Sequence, residues 1–295
     1  MPQSVEKLSD TRSDLAEGAL WDPNANRFYW CDILGMAIHA RDWETGEERS
    51  WTFPSTVGSF GLTTRDNVLV VALRDRVVTY DLESREILDT LAEIEADDER
   101  TRTNDGKVGP DGAFYVGTMD DRPTREPIGA LYRVTASGET DRLVDELTIS
   151  NGLAWSPDGR TMYHADSRPG RIDAYDFNPA SGDMSNRRTF VQLTNETGRP
   201  DGGTVDANGH YWSAGVSAGV VNRFDRDGQL VERIDMPVPR PTMTCFCGPH
   251  LDAIAVTSLR PLNDEALLSA YPQSGHVFLF QPGAARGLPP HRFKL

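Results

Sequence analysis

Three oxygen-bearing side chains stand immediately before glycine at comparable points of a repeating pattern. They are Glu17 in Ala16-Glu17-Gly18, Asn151 in Ser150-Asn151-Gly152 and Asp201 in Pro200-Asp201-Gly202. Brought together, they would offer two carboxylates and one amide oxygen. Hard oxygen donors without cysteine or histidine suit calcium, magnesium or manganese, with zinc the less favoured fit. Two carboxylates balance the charge of a divalent ion, and three protein ligands leave positions open for water or substrate, as a catalytic site requires. Taken singly, Asn-Gly and Asp-Gly read as turns held by local hydrogen bonds. Turn preference does not explain three such residues at one repeat position, and that coincidence makes them the expected metal ligands.

The repeat that must position them is clearest around Asn151. An apolar run over 149–155 leads into Ser156-Pro157-Asp158-Gly159 and returns over 161–167. Asp-Gly between two apolar runs is a strong hairpin signal, because the turn needs positive φ. Comparable hairpins begin near Glu17, Gly58, Asn104 and Asp201, with a weaker one at Thr242. With Gly18, Gly61, Gly106, Gly152 and Gly202 as markers, the intervals are 43, 45, 46 and 50 residues, and Phe246 lies 44 beyond Gly202. Third strands are expected at 37–42, 77–81, 130–134, 172–176, 221–225 and 277–280. A period of roughly 45 residues with about four strands per unit predicts propeller blades. The expected fold is therefore an all-β, six-bladed β-propeller with four antiparallel strands per blade, one domain over 1–295. A β-sandwich would not need such even spacing. Helical period shows only weakly, at 263–268. In a propeller the start of each innermost strand faces the central channel, which puts Glu17, 59–60, Asn104, Asn151, Asp201 and 243–245 at its mouth.

With 30 basic and 45 acidic residues the formal net charge is -15. Such a surface repels nucleic acid and anionic membranes, and neither is an expected partner. No apolar run approaches the roughly 20 residues of a spanning helix. The start, Met-Pro-Gln-Ser-Val-Glu-Lys, lacks the basic and apolar regions of a signal peptide, so a soluble, cytoplasmic protein is expected. A closed ring leaves few strand edges, which favours a monomer. Cys31, Cys245 and Cys247 are too few for a disulfide framework and are expected to fill core. His164 and His210 have no ligand spacing, and Asp32 and Asp166, at the ends of second strands, are expected to tie turns. Trp21, Trp155 and Trp212 read as inner-strand residues packing between blades.

Longer stretches carry a family resemblance. They are Leu15-Ala16-Glu17-Gly18-Ala19-Leu20-Trp21-Asp22, Arg102-Thr103-Asn104-Asp105-Gly106-Lys107 continuing to Gly117-Thr118-Met119, Ser150-Asn151-Gly152-Leu153-Ala154-Trp155-Ser156-Pro157-Asp158-Gly159, and Pro200-Asp201-Gly202. Together, over essentially the whole chain, they resemble the senescence-marker-protein-30, gluconolactonase and luciferin-regenerating-enzyme family of regucalcin-like proteins and sugar lactonases. The resemblance implies a six-bladed propeller with one divalent ion in the channel mouth, calcium before zinc, manganese or magnesium. It places that ion on Glu17, Asn151 and Asp201, and it implies that Arg102 and Asn104 contact the hydroxyls or carbonyl of a sugar lactone. The family's acidic sugar contact a little beyond Gly-Thr-Met falls here in Asp120-Asp121-Arg122, where Asp121 is the expected residue. The sixth-blade stretch 242–249 matches the family's loose Thr-x-x-x-Phe-Gly-Gly pattern only in part.

The activity expected on this basis is hydrolysis of aldonolactones to aldonic acids. The ion polarises the carbonyl and Asp201 serves as general base. The alternative is a calcium-binding regulatory protein that uses the same ligands without turnover. Arg102 and Asn104 speak against it, since a pure ion site needs no sugar clamp. A protein-interaction propeller would not need an acid-lined mouth.

Overall fold

In the computed structural model, which describes residues 4–295, six sheets of four antiparallel strands succeed one another along the chain. The innermost strands are Ala16–Asp22, Val57–Leu62, Thr101–Val108, Ser150–Trp155, Pro200–Val205 and Pro241–Cys247. Each packs against the inner strands of both neighbouring blades, and the first packs against the sixth, so the ring closes. The architecture is the six-bladed β-propeller that the repeat predicts.

The sixth blade carries a feature that the repeat does not announce. Its outermost strand is Val5–Lys7, antiparallel to Phe278–Phe280 with Val5 opposite Phe280. The two ends of the chain therefore meet in one sheet and latch the ring. The same blade holds the helix Glu265–Ala270, two residues later than the weak helical period, with the Asp264 side chain accepting from the Leu267 N–H as its cap. Among the described residues no helix is long and apolar enough to cross a membrane.

Six apolar clusters lie one at each seam between blades. Trp21 packs with Met243 and Cys247 across the closing seam. Trp155 meets Tyr115 edge-on at 5.2 Å, and Trp212 meets Phe246 at 5.9 Å. Aromatic pairs of this kind contribute about 0.5–1.5 kcal/mol beyond their burial. Trp212 departs from expectation in one respect: it lies on the second strand of its blade, Tyr211–Gly215, and reaches the seam from there.

The detail that positions the site is a register break repeated in every inner strand. It falls between Glu17 and Leu20, Val57 and Ser59, Thr103 and Gly106, Asn151 and Ala154, Pro200 and Gly203, and Pro241 and Thr244. A bulge bends its strand and re-aims the side chains around it. Gly18 and Gly152 sit inside their bulges with φ of 61° and 64°, a region costly for any residue with a Cβ. A Cβ on Gly152 would also stand 2.6 Å from Tyr211 Oη and 2.8 Å from Ala165 Cβ. The glycines after Glu17 and Asn151 thus serve bulges inside strands rather than turns between them.

The far mouth is covered by the C-terminal segment. Phe293 is buried and its N–H donates to the Leu62 carbonyl at 2.8 Å, while Arg292 pairs with Asp22 at 2.7 Å. Residues 288–291 cap a cavity of about 280 Å³ on the channel axis, lined by inner-strand residues of all six blades.

Candidate active site

The opposite mouth holds the residues singled out from the sequence. Glu17 and Asn151 occupy the last paired position before their bulges, whereas Asn104 and Asp201 lie inside theirs. The single repeat position expected for the set resolves into two adjacent ones. All four, with Arg102, are at most 8% exposed.

Glu17 and Asp201 are two acids almost out of water. Burial first, then the charges of Asp201 and Asp105, drives the Glu17 carboxyl well above the ordinary range. Burial and Asp105 push Asp201 up to about 8, against the opposing pull of Arg199 and Arg102. Glu17 Oε2 is buried without a hydrogen-bond partner. Asp105, which sequence reasoning did not select, supplies the third negative charge. One of its oxygens accepts from the Leu153 N–H at 3.2 Å, and the other has no partner. Strand alternation would point Asp105 away from Asn104. The bulge removes that alternation; the available sequence signal is the place of Asp105 immediately before Gly106, the place that Glu17, Asn151 and Asp201 hold before their own glycines.

Like charges buried together require protons or a cation. The arrangement fits a divalent ion: Glu17 has an orphaned oxygen, and Asn151 has an oriented amide. Asn151 Nδ2 donates to Ser167 Oγ at 2.7 Å, and Asn151 Oδ1 accepts from Asn104 Nδ2 at 3.0 Å, which leaves that oxygen a second lone pair. Among the described residues no three His, Cys, Asp or Glu side chains gather closely enough to hold an ion. In the candidate set the Asn151 amide oxygen is the third protein donor beside the two carboxylates.

Arg102 and Asn104 form one hydrogen-bonded unit. Arg102 Nη1 donates to Asn104 Oδ1 and to the Thr103 carbonyl, both at 2.8 Å, and Asn104 Nδ2 also reaches the Ser150 carbonyl at 2.9 Å. Arg102 Nε donates to Asp121 Oδ1 at 3.0 Å, and Arg74 Nη1 donates to Asp121 Oδ2 at 2.7 Å. Both oxygens of Asp121 are thus bonded to guanidinium groups, and Asp121 meets the site through Arg102.

The remaining polar residues have structural partners. Asp32 accepts the backbone N–H groups of Asp14, Leu15 and Gly35, and Asp166 those of Thr148 and Ile149. Each ties the entry of its blade's inner strand. His164 Nε2 bonds Ser150 Oγ at 2.8 Å, and burial depresses its pKa to about 3, so it stays neutral. The three cysteines are free thiols; Cys31 and Cys247 are buried, and burial pushes Cys245 up to about 12.

A family model described as SMP-30/Gluconolactonase/LRE-like region matches residues 15–260. The chain belongs to the SMP-30/gluconolactonase/LRE-like family. It is 34% identical over 278 residues to L-arabinolactonase of Azospirillum brasilense, covering 93% of this chain and 90% of the relative. It is also 34% identical over 292 residues to 6-deoxy-6-sulfogluconolactonase of Pseudomonas putida, with 98% and 99% covered. Among solved structures, regucalcin of Agrobacterium tumefaciens, described as a calcium-binding protein, superposes with a TM-score of 0.94 at 28% identity, over 100% of this chain and 99% of that one. Within the SMP-30/gluconolactonase/LRE-like family, this chain combines an acid-lined mouth with a far mouth closed by its own C-terminal segment.

Proposed function

We propose that this chain hydrolyses sugar-acid lactones to aldonic acids at the acid-lined mouth, with one divalent ion held by Glu17, Asn151 and Asp201. The observation that carries the reading is the meeting of buried carboxylates with unpaired oxygens, Glu17 Oε2 and Asp105 Oδ1, and the Arg102–Asn104 clamp. The lactonase relatives support a lactone substrate, and the calcium-binding relative supports calcium as the ion. The closed ring supports one domain acting as a monomer, and a cytoplasmic location remains part of the reading.

A bound divalent ion supplies Lewis acidity toward the lactone carbonyl and offsets the charge of the two carboxylates. Asp201, ionised in that state, takes a proton from the water whose oxygen attacks the carbonyl carbon. It returns that proton to the ring oxygen as the ester C–O bond breaks, which opens the ring to an alcohol and a carboxylic acid. A positioned base of this kind contributes roughly 10²–10⁴-fold. Arg102 spends Nε and Nη1 on protein acceptors and keeps Nη2 for a sugar hydroxyl or the carbonyl. Its bond to Asn104 fixes both donors before substrate arrives, which lowers the entropic cost of orientation.

The test is acid release from a panel of aldonolactones, measured at constant pH on chelated and metal-reconstituted protein. Metal-dependent opening above the spontaneous rate supports the reading. Metal binding without any acceleration across the panel would instead favour a calcium-binding protein without turnover.

A further inference from the structure

A register break takes peptide groups out of the strand ladder, and buried backbone groups still need partners. In the fourth blade the break holds the peptide Gly152–Leu153, one residue beyond the candidate ligand Asn151. Both ends of that peptide are held from other blades. The Leu153 N–H donates to Asp105 Oδ2 of the third blade at 3.2 Å, and the Gly152 carbonyl accepts from the Tyr211 hydroxyl of the fifth blade at 2.7 Å. Lys107 adds a link from the third blade to the fifth. Its Nζ donates at 2.8 Å to the carbonyl of Gly203, where the break that contains Asp201 ends. The bulges that carry Asn104, Asn151 and Asp201 are thus joined pairwise by side chains.

Tyr211 is the uncharged member of the three, whereas Asp105 and Lys107 also bring charge toward Glu17. It is fully buried, opens the second strand of its blade and packs its ring on Tyr163, with 5.2 Å between centroids. Its hydroxyl occupies a notch that two glycines keep open. A Cβ on Gly152 would stand 2.6 Å from that oxygen, and one on Gly203 would collide with it. Ring packing needs no hydroxyl, since phenylalanine would fill the same apolar space. The hydroxyl is accounted for by the peptide it holds. Released from that bond, the Gly152 carbonyl would turn toward another donor, and Asn151 is the adjacent residue of the same bulge.

We propose that Tyr211 is a positioning residue of the ion site: by holding the Gly152 carbonyl it sets the bulge, and so the aim of the Asn151 amide oxygen, without touching ion or substrate. This rests on the ion site proposed above and adds to it a residue from the second strand of the fifth blade.

Calcium titration calorimetry on metal-stripped wild type, Tyr211→Phe and Tyr132→Phe, each with a thermal melt, tests it. Tyr132 is also buried and donates its hydroxyl, to Glu95 at 2.9 Å, but from the third strand of its blade, where no ligand of the proposed site lies. Both variants are expected to melt below wild type, because each loses a hydrogen bond. Tyr211→Phe weakens calcium binding by roughly 2–10-fold, the worth of one neutral hydrogen bond, whereas Tyr132→Phe keeps wild-type affinity. An unchanged Kd in Tyr211→Phe makes the hydroxyl a matter of stability alone and overturns the proposal, while the ion site stands. Equal weakening in both variants overturns it too, since the effect then follows stability rather than place. Absence of calcium binding by wild type overturns the ion site and the part given to Tyr211 together.

Discussion

Asn104 and Asn151 meet amide to amide across the seam between the third and fourth blades, with Asn104 Nδ2 donating to Asn151 Oδ1 at 3.0 Å. One candidate metal ligand is therefore oriented by a residue of the next blade, which is itself held by Arg102. The ion site and the substrate clamp are one network.

That coupling makes Asn104→Ala informative. Losing one hydrogen bond of about 0.5–1.5 kcal/mol should weaken metal affinity by roughly 2–10-fold, although Asn104 is not itself a ligand in this account. Asn151→Ala removes the ligand and should reduce affinity and activity further while the hairpin stays folded. Calorimetric titration with calcium, beside a thermal melt, separates the two effects from unfolding.

The buried acids make stability depend on pH in an unusual direction. Asp201 moves from an ordinary 3.8 up to about 8, and Glu17 shifts the same way. Between those values the metal-free native state keeps a proton that the unfolded chain has lost, so stability falls as pH rises. An ion competes with those protons, and its stabilising effect must grow with pH. Melting curves of chelated protein should therefore move down from about pH 5 to about pH 8, while the gap to calcium-saturated protein widens. Glu17→Gln should flatten the chelated series and remove most of that gap.

Asp121 tests the clamp from its outer side. Asp121→Asn offers one acceptor oxygen where Arg102 and Arg74 share two and removes the negative charge between them, so the hold on Arg102 Nε weakens. A rise in KM larger than the fall in kcat is expected, because substrate positioning is lost while Asp201 is untouched. Steady-state kinetics on the best lactone decides it.

The bulges can be probed with one methyl group. Gly152→Ala puts a Cβ on a residue at φ of 64° and against Tyr211 and Ala165. The left-handed conformation alone costs about 1–2 kcal/mol, and the close contacts add to it. Urea unfolding should show at least that loss, with metal affinity falling alongside as Asn151 shifts.

Much of this arrangement was legible in the chain before any coordinates. The spacing of Asp-Gly and Asn-Gly turns carries the blade count, because each hairpin is local and its turn chemistry is written beside it. Glu17, Asn151 and Asp201 stood out because each precedes a glycine that the repeat demands, and Asp105 holds the same place before Gly106. What escaped reading is what depends on distant partners. The strand Val5–Lys7 has no signal of its own and pairs with residues more than 270 positions away. Asp105 breaks the two-residue alternation that sequence patterns rest on, and Asp121 owes its position to Arg74, which comes from another blade.

The central claim is that Asp201 serves lactone hydrolysis beside a bound ion, and proton release at constant pH tests it directly. Wild type and Asp201→Ala are compared on the most reactive aldonolactone, each with saturating metal and with chelator. The account predicts metal-dependent ring opening by wild type that Asp201→Ala loses by roughly 10²-fold or more. Wild-type activity in Asp201→Ala at saturating metal would contradict it.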